Sequence, residues 1–403
     1  MKNLICIAFL IGSSFRGIAQ WVHMNPGTTN PIYDISFLTD QIGYAAVENS
    51  GAIWKTTDGA SSWLPVYNSV NIWRIVFLTE DTGLALSSTI GLIKTNDGGL
   101  TWNPVAVPLN AGWWSRPVFF NLHSGISIQQ NATSDSMIVM KTSDGGDSWH
   151  TIMQRQDSLG SFINDISFPD SMTGYLVSET SMEKTTDGGY TWQLLQYRYP
   201  GFGSVSFISP DTGFCYVDLG QFFRTYDGGM TWDSFPLPSS PYNGQVRFLN
   251  SSIGFICGGN GFSSGFVMKT ANGGANWTLD YGDNNTYFAF SFPGNNIGYA
   301  CGDGGSVIKK SIVDGLYSWK NESSNSIFIA NNPIHSHLKF YSPLFANDKI
   351  KLQIFNPIGE IVFEKPVATA NEDLELTGLK SGLYFLSLNS SNSSVTTRFV
   401  KVD

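Results

Sequence analysis

The 403-residue sequence predicts an all-β protein: a seven-bladed β-propeller followed by a small immunoglobulin-like β-sandwich. Three observations carry this. A nine-residue motif, KTTDGGYTW over 184–192, has near copies at 55–63, 94–102, 141–149, 224–232 and 269–277. An aromatic followed six residues later by glycine precedes it, in seven pairs from Phe37/Gly43 to Phe292/Gly298. The composition, 14% charged, 14% aromatic and with 42 glycines, suits short strands joined by turns.

Taken in order, residues 1–19 read as a signal peptide. Lys2 forms the basic start, residues 4–12 the apolar stretch, and small residues precede a cut after Ala19. No later run reaches the roughly 18 to 20 apolar residues of a spanning helix, so an exported chain is expected. Cys6 leaves with the signal, and Cys215, Cys257 and Cys301 remain. Cys257 and Cys301 share a repeat position, three residues after Gly254 and Gly298, which suits small buried hydrophobes rather than a bridge.

Residues 20–322 are expected to form the propeller. The motif acids Asp58, Asp97, Asp144, Asp187, Asp227, Asn272 and a degenerate Asp314 are spaced by 39, 47, 43, 40, 45 and 42 residues. In a β-rich chain such a period marks blades of four strands. The first unit reads as YDISFLT, GYAAVE, AIWKTT and SSWLPVY, which puts the motif in the turn between the third and fourth strands. There a short carboxylate accepts hydrogen bonds from its own turn, glycines take positive φ, and the tryptophan buries a large ring. A catalytic loop has no reason to recur six times, so the motif reads as a fold device. Trp21 and Trp319 both look like the start of a fourth strand, and either could close the ring.

These motifs resemble the Asp-box, or bacterial neuraminidase repeat, of sialidases, sortilin-type receptors and xyloglucan hydrolases. With seven units and the aromatic-glycine element, the region from Trp21 to Trp319 looks most like the propeller of the photosystem II stability and assembly factor family. The resemblance implies the fold and leaves the function open.

Residues 323–403 have another texture, with a polar NESSNS linker and then alternating strands broken by Asn-Pro, Ile-Gly and Ser-Gly turns. LQIFNPIGEIV, LTGLKSGLYFLSL and a terminal RFVKV resemble the type A C-terminal sorting domain of the type IX secretion system. Asn331-Asn332-Pro333 departs from that family's usual Pro-Asn-Pro opening. The resemblance implies the type IX secretion machinery as a partner, and a secreted protein or one on the outer surface of a Gram-negative bacterium. Fold alone leaves an immunoglobulin-like adhesion module as the alternative.

Charge argues against nucleic acid. Net charge is −9, and residues 20–322 hold 14 Lys and Arg against 25 Asp and Glu, six of those cations at one motif position. A ligand is therefore sought among loops joining one blade to the next, on the face opposite the boxes. They carry Trp73 and Arg74, then Trp113, Trp114 and Arg116, then Arg155 and Asp157, then Tyr197, Arg198 and Tyr199, then Tyr242 and Arg247, then Tyr281, Asp283 and Tyr287. Aromatics and arginine are the residue types of interaction hot spots, so a protein or glycan ligand is expected. No cofactor or metal is expected, since His23, His123, His150, His335 and His337 show no ligating spacing. No acid, base and nucleophile set assembles, so the reading is non-catalytic. The alternative is a sialidase-like glycoside hydrolase using Arg74, Arg116 and Arg247 on that same face.

Overall fold

The structure is a computed structural model and describes residues 20–48, 52–68, 71–87, 89–107, 113–131, 136–156, 162–197, 201–217, 219–259, 264–294, 297–312, 328–329, 336–341, 350–356, 360–367, 371–389 and 394–401. The chain divides into two compact units at Val313/Asp314.

The first unit is a ring of seven antiparallel sheets. Blade 1 consists of Ile32–Phe37, Gly43–Val47, Ala52–Thr56 and Leu64–Asn68, hydrogen-bonded in chain order. The pattern repeats in blade 2 (from Ile72–Phe77 to Asn103–Pro104), blade 4 (from Ile163–Ser167 to Gln193–Tyr197), blade 5 (from Phe202–Phe207 to Asp233–Pro236) and blade 6 (from Tyr242–Phe248 to Thr278–Asp283). In blade 3 the first strand is broken into Trp113–Trp114 and Val118–Phe119, both paired with Gly125–Asn131; Ser136–Thr142 and His150–Gln156 complete the sheet. Blade 7 supplies Tyr287–Ser291, Ile297–Gly302 and Val307–Ser311 and takes its outer strand from the other end of the chain. Val22–Met24 pairs with Val307–Ser311, Val22 opposite Lys309. Trp21 therefore closes the ring, while Trp319 lies outside the described residues.

The aromatic-glycine element is an inter-blade staple. The Phe207 ring stacks on Tyr175 of the preceding blade at 3.3 Å and 2°, and meets Trp232 of its own blade edge-on at 6.1 Å. A Cβ on Gly213 would lie 2.2 Å from that ring, so only glycine lets it lie flat against the second strand. Tyr44 on Phe77, Phe214 on Phe248 and Tyr299 on Phe37 repeat the stack, the last across the closing seam. Serines reinforce it, because Ser36, Ser167, Ser206 and Ser291 accept the amides of Phe77, Phe207, Phe248 and Phe37 in the next blade.

The boxes are closed local networks. Asp187 accepts from the Thr185 hydroxyl and the Thr191 amide through Oδ1 (2.8 and 2.9 Å) and from the Thr191 hydroxyl through Oδ2 (2.6 Å). Gly188 and Gly189 make the turn at φ of 75° and 96°. Asp58, Asp97, Asp144 and Asp227 repeat the hydroxyl and amide contacts, and Asn272 keeps the Oδ1 half. The Gly188 amide donates to Met172 of the first turn, so boxes and first turns share one end of the ring. Lys184 lies over Tyr175 and donates to Gly228 of the next blade, as Lys309 does with Tyr299 and Gly59. Lys309 pairs with Tyr299 as Lys55 pairs with Tyr44, so buried Ile312 takes the acid position in blade 7; Asp314 lies outside the described residues.

The thiols of Cys215, Cys257 and Cys301 are buried and unbridged. Burial pushes Cys257 up to about 12.

In the second unit, Phe328–Ile329, His337–Tyr341 and Asn371–Glu375 form one sheet. Ile361–Val367, Ile350–Phe355, Gly382–Asn389 and Ser394–Lys401 form the other. Leu338, Leu352, Ile354, Leu386, Leu388 and Phe399 are among its core, and the Tyr384 hydroxyl donates back to Lys380 at 2.9 Å.

Candidate functional site

The first strands of neighbouring blades contact one another and so line the axis. They begin at the end opposite the boxes, and there the pairing slips. In blade 1, Ile32 faces Val47 and Asp34 faces Ala46, leaving Tyr33 as an extra residue. Trp73, Asn164, Gly203 and Phe288 occupy the same bulge in blades 2, 4, 5 and 7, and in blade 6 Asn243 and Gly244 together stand opposite Gly258, again one residue in excess. A bulge re-aims its side chain away from the alternation of the strand. The channel mouth is consequently lopsided: Phe288, Tyr33 and Trp73 on blades 7, 1 and 2, against Asn164, Gly203 and Gly244 on blades 4, 5 and 6.

The aromatic half is continuous. Tyr33 stacks on Trp73 at 4.6 Å and 17° and tilts against Phe288 at 5.9 Å, while Trp73 keeps 36% of its surface open. Glu48, just after the second strand of blade 1, hydrogen-bonds the Tyr33 hydroxyl; burial and then this bond hold that hydroxyl's pKa far above the usual tyrosine range. Asp303, just after the second strand of blade 7, has its carboxyl pKa raised by burial and by the charge of Glu48, against the lowering effect of a hydrogen bond with Thr286. Asp283 accepts the hydroxyls of Tyr287 (2.8 Å) and Tyr281 (3.2 Å) on the same side.

Below the mouth, two ion pairs bind the inner strands. Asp34 accepts the amides of Ile35 and Ile75, and Arg116, two blades on, sits 3.5 Å from it while donating to the carbonyls of Ile35 and Ile75. Asp165 and Arg247 repeat the arrangement three blades later, with Asp165 on the Val205 amide and Arg247 on the Val205 carbonyl.

Of the residues proposed from sequence, Trp73 stands at the mouth, and Arg74 beside it donates to the Trp73 carbonyl at 3.4 Å. Arg116 and Arg247 are engaged in the two ion pairs rather than held at loop tips. Trp113 and Trp114 form a short strand opposite Gln130 and Gln129, their side chains outside the described set. Tyr197 ends a strand with its side chain likewise outside it, and Arg198, Tyr199 and Asp157 lie outside the described residues. Arg155 pairs with Glu183 of blade 4. Tyr33, Glu48, Phe288 and Asp303 were not anticipated. One signal was present: Tyr33, Trp73 and Phe288 each stand four residues before the motif aromatic, as Asn164, Gly203 and Gly244 do.

Residues 331–402 match the family model described as a secretion system C-terminal sorting domain. The tail is a secretion-system sorting domain. It implies delivery by type IX secretion to the cell surface or medium. No curated protein matches the chain. Among solved structures, the ring is similar to YCF48 bound to D1 peptide, at 16% identity and TM-score 0.58, covering 73% of this chain and 97% of that one. It is similar to YCF48 from Cyanidioschyzon merolae at 15% identity and TM-score 0.57, covering 73% and 99%. A catalytically inactive virginiamycin B lyase from Staphylococcus aureus with quinupristin matches at 8% identity and TM-score 0.56, covering 73% and 98%. At these identities the likeness is one of fold. Among the described residues no helix is long and apolar enough to cross a membrane, and no cluster of His, Cys, Asp or Glu suits a metal ion.

Proposed function

We propose that the sorted propeller is a non-catalytic binding module that takes a protein or glycan ligand at the channel mouth opposite the boxes. The layout is a leader over 1–19, the module over 20–322 and the sorting region over 323–403. The observation that supports this is the bulge column, which sets Phe288, Tyr33 and Trp73 side by side on a stapled ring. Rigid aromatic rings at an open mouth supply contact area at small entropic cost. The motif turns at the other end keep their structural role, which agrees with their resemblance to Asp-boxes.

A glycoside hydrolase is the rival, favoured by the neighbouring carboxylates Glu48 and Asp303 beside the Tyr33 hydroxyl. Against it, Arg116 and Arg247, two of the three arginines a sialidase-like site would need, are engaged with Asp34 and Asp165. The test is a glycan array and a surface-extract pulldown with the full chain, beside a Tyr33→Ala/Trp73→Ala variant. Ligand captured by the parent and lost in the variant upholds the reading. Capture unaffected by the variant, or release of sugar from an arrayed glycan, overturns it.

A further inference from the structure

We infer that the box end of the ring carries a second docking surface, on blades 2 to 5, and that its partner is a protein segment with apolar side chains at the centre and lysine or arginine at both flanks. The surface is separate from the channel mouth and starts from a box position that the turn does not fix, the residue two before the tryptophan: Ser61, Leu100, Asp147, Tyr190, Met230 and Ala275. Met230 is 82% exposed there, and Leu100 and Tyr190 more than half. Leu122 and Met172, in the first turns of blades 3 and 4, and Tyr226, beside the blade 5 acid, are also more than half exposed. These residues form one tract. The Gly145 amide donates to His123 and the Gly188 amide to Met172, so each first turn lies against its own box. The motif cations join box to box: Lys94 meets Asp147 at 2.8 Å, Lys141 lies 4.9 Å over the Tyr190 ring, and Lys184 donates to Gly228 at 3.0 Å. Apolar side chains scattered singly over a surface are ordinary, but a tract across four neighbouring blades marks an interface.

Charge selects the partner. At the centre of the tract the acids are satisfied internally, Asp147 by Lys94 and Asp170 by the amides of Met172 and Thr173. At its two ends they are not. Glu80 and Asp81 in blade 2 and Asp211 in blade 5 stand at the turn positions that Leu122 and Met172 hold in blades 3 and 4, and all three are exposed, with no ion pair among the described residues. The Gly98 amide donates to Asp81 and the Gly228 amide to Asp211, which sets these acids against the boxes of Leu100 and Met230. The cations of this end are turned onto the boxes, as Lys184 is on Gly228 and Arg224 on Gly273. An apolar centre with an acidic flank at either end attracts a segment of the complementary pattern. A second copy docked through the same surface would set acid against acid, and an anionic bilayer would be repelled.

The test titrates the fluorescein-labelled peptides KKLLFLLKK, KKSSGSSKK and EELLFLLEE with the full chain and reads anisotropy. The comparison uses Tyr190→Ser/Met230→Ser, Glu80→Gln/Asp81→Asn/Asp211→Asn and a control, Leu219→Ser, which removes an exposed leucine from the opposite end of blade 5. Every substituted side chain is exposed, and unfolding curves check that each variant folds. Saturable binding of KKLLFLLKK, weakened about tenfold by either surface variant, kept within about twofold by the control and reduced by salt, is the expected result. Absence of saturable binding, equal binding of KKSSGSSKK or EELLFLLEE, or an equal loss in Leu219→Ser overturns the inference. A dimer in sedimentation equilibrium that Tyr190→Ser/Met230→Ser dissociates, or retention on phosphatidylcholine vesicles lost in that variant, also overturns it and gives the surface to a second copy or to a membrane.

Discussion

Gly213 and Phe207 offer a sharp test of the staple between blades. In Gly213→Ala the new Cβ would stand 2.2 Å from the Phe207 ring, which is held between Tyr175 and the second strand. The ring has nowhere to retreat, and overpacking of this kind costs about 1–3 kcal/mol. Phe207→Ala empties a site only 6% exposed and removes the stack, for a loss of about 3–5 kcal/mol. The two changes compensate: once the ring is gone the alanine methyl has room, so Gly213→Ala should cost nothing further in that background. A coupling of about 1–3 kcal/mol follows. Guanidinium unfolding followed by tryptophan fluorescence reads it, because eleven of the twelve tryptophans lie between Trp21 and Trp277. Equal destabilisation by Gly213→Ala in both backgrounds would refute the staple.

Three further outcomes are expected. Trp21→Ala loses a buried ring and the Nε1 donation to Asp280 (2.8 Å), costing about 3–5 kcal/mol in the same assay, while Val22→Ala, at a 59% exposed site, leaves the midpoint nearly unchanged. Arg116→Met strands Asp34, itself 1% exposed, and should destabilise by about 3–5 kcal/mol, with Asp34→Asn/Arg116→Met the milder variant; the reverse order would count against the pairing. The carboxyls of Asp97, Asp187 and Asp227 are held at about 2 by their threonine hydroxyls and then by amides, below the ordinary 3.8. Stability from them is complete above about pH 4 and falls away as pH drops toward 2, so an Asp97→Asn/Asp187→Asn/Asp227→Asn variant should show a flatter acid-unfolding profile.

Blade number, box position and the sorting tail were legible because each repeats or matches a local pattern. Ring closure was not, since blade 7 shifts its cation to Lys309, places Ile312 at the acid position and leaves two tryptophans as rivals. Pairing decides it, and pairing across the whole ring leaves no local mark. The mouth was half legible. Trp73 was singled out, but an alternating reading of strands assigns every residue a face, and the bulge that adds Tyr33 breaks that alternation. Arg116 and Arg247 looked like loop-tip anchors because their partners stand two blades earlier, beyond any local window.

Closure from the front of the chain has a kinetic consequence. The contacts that seal the ring, Trp21 to Asp280, Phe37 to Ser291 and Tyr299 to Asp40, span 254 to 259 residues of sequence. Each other blade forms from neighbouring segments, whereas the seventh waits for the entire intervening chain. Loop entropy is paid before these contacts return anything, which makes sealing a late event in folding. Until then Val307–Ser311 lacks its outer neighbour, and the nascent propeller presents an edge open to foreign strands. The period of greatest exposure to misassembly is thus set by how soon residues 22–24 meet the end of the ring.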